Sequence, residues 1–181
     1  HLHVMVILVL AGVSVNKPWR SLVFIILASL WAGISRVNWF PVPAMLAIAI
    51  YILETPLNNK GWRYWLTPAV WGICGVIAAL VSQFVYIQIS GNADVAAFGS
   101  SFTSDLIWSR LLPNETFPMG ILPGILLVSA PMFAALYQML RGKVSSLYPL
   151  RWLALIAMLG MLFIGGAVVS TKIGGGGDLH N

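Results

Sequence analysis

The sequence predicts an all-α fold, a polytopic transmembrane helix bundle of about six spans with a short interfacial helix in an outer loop. Composition is the first reason: 59% of the 181 residues are hydrophobic and 8% charged, with a mean hydropathy of +0.89, well outside the range of soluble domains. Fifteen Lys, Arg, Asp and Glu side chains cannot cover a water-exposed surface for a chain of this length. The second reason is six apolar runs, at about 2–15, 19–35, 39–54, 65–89, 118–140 and 151–170. The third is their punctuation. Pro18, Pro41 and Pro118 fall at or near first-turn positions, where a missing N–H breaks no helical bond. Trp19, Trp39, Trp62, Trp65, Tyr148 and Trp152 gather at the same boundaries, as amphipathic rings do at headgroup depth.

Taken in order, the first three segments are short for a hydrocarbon layer of about 30 Å, which asks for roughly 20 helical residues. The first is already apolar by Leu2, so further residues are expected upstream of His1. The fourth and fifth are long enough to cross, and Pro68, Pro123 and Pro131 lie in or near them. The pairs Ala28-xxx-Ala32, Ser29-xxx-Gly33, Gly75-xxx-Ala79 and Ala130-xxx-Ala134 predict close helix packing. Cys74 reads as a small packing residue, and a single cysteine excludes an internal disulfide. Between the fourth and fifth segments runs a long loop, 91–117. Within it Thr103 can cap a short helix with Leu106, Ile107 and Leu111 on one side, lying on the outer leaflet or folded over the bundle. Asn114-Glu115-Thr116 also matches a glycosylation sequon. The whole chain, 1–181, is expected to form one transmembrane domain, part of a longer protein.

Charge sets the expected topology. Loops after segments one, three and five carry Lys17, Arg20, Lys60, Arg63, Arg141, Lys143 and Arg151, with only Glu54 nearby. The intervening loops and the tail carry Arg36, Arg110 and Lys172 with Asp94, Asp105, Glu115 and Asp178. Seven cations against three put the first set in the cytoplasm and both chain ends outside. The net charge of +5 is scattered as topology signals, which argues against nucleic acid as a partner.

The membrane interior is expected to be free of ionisable residues, which weakens a transporter reading. Its deepest polar side chains, Ser82, Gln83 and Ser129, are expected to serve interhelical hydrogen bonds. The polar chemistry collects at the outer face instead. There Arg36 and Asn38 join the second and third segments, and Lys172 precedes Gly174, Gly175, Gly176 and Gly177. Two cations and an amide suit a lipid phosphate, and glycines let backbone N–H groups approach an anion. The other reading of Arg36 and Lys172 is snorkelling to headgroups. His1, His3, His180 and Asp178 also fall outside, but no metal site is assigned to them, and no cofactor is expected.

The stretches SRVNWFPVPAMLAIAIYILE, LLPNETFPMGILPG and STKIGGGGDLHN resemble the later spans of bacterial polytopic membrane proteins of the lipid-carrier-dependent glycosyltransferase type. The resemblance covers about a third of the chain. It implies an inner-membrane protein with an extracytoplasmic site and a polyprenyl-phosphate-linked sugar as donor, and it matches Lys172, Gly174 to Gly177 and Asn181 to the Lys, glycine cluster and Asn of an outer loop. The carboxylate that the family places in its first outer loop has no counterpart in this sequence, so no catalytic residue is assigned. The alternatives are a non-catalytic structural subunit of a multi-subunit membrane complex and, third, a transporter. Expected partners are membrane lipids, the sugar carrier and other membrane subunits.

Overall fold

A computed structural model describes residues 2–35, 39–57, 61–90, 112–113, 115, 118–141 and 149–172. Among these, all regular structure is helical. The helices are α1 (Leu2–Gly12), α2 (Pro18–Ser35), α3 (Val42–Glu54), α4 (Arg63–Ser90), α5 (Ile121–Leu140) and α6 (Pro149–Lys172). They fall where the six apolar runs predict them. Three are long and apolar enough to cross a membrane: α2, α4 over Arg63–Ile89 and α6 over Pro149–Gly166. This corrects the expectation of six spans, because α1, α3 and α5 carry shorter apolar stretches, His3–Gly12, Val42–Glu54 and Leu122–Ala135. At 1.5 Å per residue α3 is about 20 Å long and α4 about 42 Å. The loop proposed to hold an interfacial helix lies almost wholly outside the described residues.

The chain divides into two compact units, His1–Ala93 and Asp94–Asn181. In the first, prolines and short turns set the helix ends. Pro18 opens α2, and the Lys17 carbonyl accepts the Ser21 N–H at 3.0 Å, so the missing proline donor costs nothing. Pro41 precedes α3 and Pro43 stands in its first turn. These two prolines start α3 later than residue 39. Gly61, at φ +52°, supplies the left-handed residue of the turn into α4. Pro118 lies in a turn just ahead of α5, near its first turn but outside the helix.

Contacts across helices give the order of the first unit. A Cβ on Gly75 would sit 2.8 Å from Ala44 Cβ, 3.2 Å from Ser29 Oγ and 3.3 Å from Ile25 Cγ2. Further along α4, one on Gly33 of α2 would meet the Ala79 carbonyl oxygen and, at 2.9 Å, Ser82 Cβ. Rising residue numbers on α4 therefore match rising numbers on α2, so the two helices run parallel. By contrast α3 runs antiparallel to α4, since Ala44 faces Gly75 while Tyr51 meets Trp71 and Tyr64.

The core of the first unit is made of small side chains. On α2 the buried residues are Ser21, Ile25, Ala28, Ser29, Ala32 and Gly33, while Val23, Leu27, Leu30 and Ile34 are exposed. On α4, Gly75, Ala79 and Ser82 are buried, and Val70, Ile73, Ile77, Leu80 and Phe84 face outward. Water would penalise that arrangement, because large apolar groups are the ones left uncovered. Lipid favours it: tails solvate leucine as well as another leucine does, so helices gain by close backbone approach through small residues.

In the second unit α5 and α6 meet through Phe133 and Phe163, ring centroids 5.4 Å apart. Leu126, Leu127, Val128, Leu153, Ile156 and Met161 are exposed. Ala130 and Ala134 are exposed too, so this predicted packing pair covers no helix within the described structure. Arg151 is buried at the start of α6.

Candidate functional site

The residues proposed for an outer phosphate site are not brought together among the described residues. Arg36, Asn38 and Gly174 to Gly177 lie outside them, and so does Asn181. Lys172 closes α6. His3 is exposed, and His1, His180 and Asp178 lie outside the described residues. No group of three or more metal-ligating side chains occurs among the residues described.

What the structure does bring together is polar chemistry turned onto the backbone. Ser82 of α4 donates to the Leu30 carbonyl of α2 at 2.7 Å, the interhelical bond expected of it. Ser21 Oγ accepts the Ser14 N–H at 2.8 Å and donates to the Ser14 carbonyl at 2.8 Å, which ties the turn after α1 to the first turn of α2. Arg20 donates to the Ala11 carbonyl at 3.2 Å, satisfying one of the orphan acceptors at the end of α1. Its guanidinium carbon stands 5.6 Å from the centre of the Phe24 ring, within cation–π reach.

A second cluster went unmarked in the apolar pattern. Tyr64, fully buried, meets Tyr51 at 5.2 Å with the rings tilted by 50° and Trp65 edge-on at 5.0 Å, and Tyr51 meets Trp71 edge-on at 5.7 Å. The Tyr64 hydroxyl donates to the Thr55 carbonyl at 3.2 Å, just past α3. Trp65 is therefore half-buried against the core, not a ring of the outward belt, whereas Trp19 and Trp62 are 80% and 70% exposed as a belt requires. The only signal for the buried cluster was spacing. Tyr64, Pro68, Trp71 and Gly75 repeat at three and four residues, the helical face that meets α3.

Two buried hydroxyls, Ser29 Oγ and Thr55 Oγ1, have no hydrogen-bond partner. Each such group costs about 1–3 kcal/mol. Ser29 lies at the closest crossing of α2, α3 and α4, beside Gly75, where a larger apolar side chain would not fit. The described carboxylates are Glu54 and Glu115, both exposed. Among the described residues there is thus no buried acid–base pair that could activate a nucleophile.

No protein-family model, curated protein or solved structure matches the chain.

Proposed function

We propose that this chain is a lipid-embedded scaffold within a bacterial inner-membrane protein of the lipid-carrier-dependent glycosyltransferase type. The observation that carries the scaffold role is the inverted distribution on α2 and α4, small residues inside and large apolar ones outside. The activity class draws on the residues of STKIGGGGDLHN and on the cation-and-amide pair Arg36 and Asn38. In this reading Arg36 and Lys172 are each available to neutralise a phosphate of the polyprenyl carrier, through charge-assisted hydrogen bonds to its oxygens. Gly174 to Gly177 admit the phosphate to the backbone. The base that activates the acceptor belongs to another part of the protein.

A second reading, a non-catalytic subunit of a membrane complex, is favoured by the exposed positions of Glu54 and Glu115, which leave the described helices without a general base. Native mass spectrometry of the full chain, released from lipid nanodiscs with a short polyprenyl phosphate present, separates the two. The glycosyltransferase-type reading expects retained carrier, weakened tenfold or more by Arg36→Ala combined with Lys172→Ala. No retention, or retention equal in the variant, overturns it. Recovery of a fixed ratio of a second membrane protein in that case would favour the subunit reading.

A further inference from the structure

Because α2 and α4 run parallel, their first turns stand at the same end of the first unit. The α1–α2 turn and the α3–α4 connection are at that end. Together they present Lys17 and Arg20 on one side and Arg63 on the other, all exposed. Beside them Trp19 and Trp62 are 80% and 70% exposed, whereas Tyr51, Tyr64 and Trp71 of the same unit are buried and Trp65 is half-buried. The one described carboxylate nearby is Glu54, also exposed. Three cations against one acid give a net positive surface, and the two free indoles have the amphipathic form that settles at headgroup depth.

We infer that this end of the first unit is a docking surface for an anionic phospholipid leaflet. The inference rests on the membrane-embedded reading above and adds the lipid class that this end selects. Arg20 is held in place by the Ala11 carbonyl and the Phe24 ring. Its remaining N–H donors are left for a phosphate, which Arg binds in fork geometry. Lys17 and Arg63 add charge within a Debye length of the surface. Trp19 and Trp62 fix the depth, so that the cations meet phosphates and not the hydrocarbon. A zwitterionic leaflet offers the same indole contacts without the net attraction.

The test compares the full chain with the Lys17→Gln/Arg63→Gln variant. Arg20 is left intact because it also caps α1. Both proteins are first floated with phosphatidylcholine vesicles and with vesicles of phosphatidylcholine and phosphatidylglycerol. Tryptophan quenching by brominated phosphatidylglycerol against brominated phosphatidylcholine then gives the relative association constant of the two lipids. Wild type is expected to prefer phosphatidylglycerol at low salt. Each cation near the surface is worth roughly a five-fold preference, so the double variant should lose roughly thirty-fold, and high salt should erode the wild-type preference. A loss smaller than about five-fold, one cation's share, in a chain that floats with both vesicles overturns this inference alone. A chain that floats with neither overturns the membrane reading as well.

Discussion

Gly33 and Gly72 make a controlled pair. Both are helical, but a Cβ at Gly33 would run into the Ala79 backbone oxygen and Ser82 Cβ, whereas one at Gly72 would only touch Ile48 Cδ1 at 3.5 Å. Backbone cannot swing aside as a side-chain tip can, so Gly33→Ala must push α2 and α4 apart. Overpacking of this kind costs about 1–3 kcal/mol. Gly72→Ala should be neutral or stabilising by about 0.5–1 kcal/mol, since alanine loses less entropy in a helix. Thermal unfolding of the two variants in the same detergent tests this: Gly33→Ala should melt lower than wild type and Gly72→Ala no lower. Equal midpoints would mean that α2 and α4 are not in the contact described. At this scale the sequence was informative wherever side-chain volume carried the signal. Ala28, Ala32, Ser29, Gly33, Gly75 and Ala79 were all predicted to pack and are all buried. Ala130 and Ala134 show the limit of the same pattern, for small residues permit close approach without supplying the neighbour.

Between elements, the α2–α4 seam carries a polar contact that fixes its register, Ser82 to the Leu30 carbonyl. Ser82→Ala should cost about 0.6–2 kcal/mol, the range for interhelical hydrogen bonds in membranes. It should also couple to Gly33→Ala, because the separation of α2 and α4 that the added methyl forces would itself stretch the Ser82–Leu30 bond. Unfolding in mixed micelles with increasing denaturing detergent measures both effects. A double variant whose loss equals the sum of the single losses would contradict the shared seam. Helix positions were readable from hydropathy to within a few residues, since the runs at 19–35 and 65–89 became Pro18–Ser35 and Arg63–Ser90. Span number was not, because hydropathy counts apolar residues while Pro41 and Pro43 and the turn after Gly12 decide how many of them stay helical. The Tyr51, Tyr64 and Trp71 cluster was readable only through the spacing on α4, since an aromatic near a helix end, such as Tyr64, looks the same in sequence whether it faces headgroups or the core.

For the whole molecule, the proposal at stake is that α1, α3 and α5, whose apolar stretches are shorter than those of α2, α4 and α6, cross the bilayer with them. The parallel pair α2 and α4, with α3 reversed between them, supports it in the first unit. For the tail the proposal rests on the sequence alone, through its distribution of cations. The proposed phosphate edge depends on this, since Arg36 and Lys172 serve one lipid only if both lie on the same side of the membrane. Site-directed cysteine labelling tests the claim most directly. With Cys74 replaced by Ala, single cysteines at Asn16, Pro56, Glu115 and Asp178 are treated with a membrane-impermeant thiol reagent, in intact cells expressing the chain and after permeabilisation. Positions 115 and 178 are expected to react in intact cells, while 16 and 56 react only once the membrane is opened. Labelling of 16 or 56 from outside alongside 178, or protection of 178 in intact cells, would contradict it.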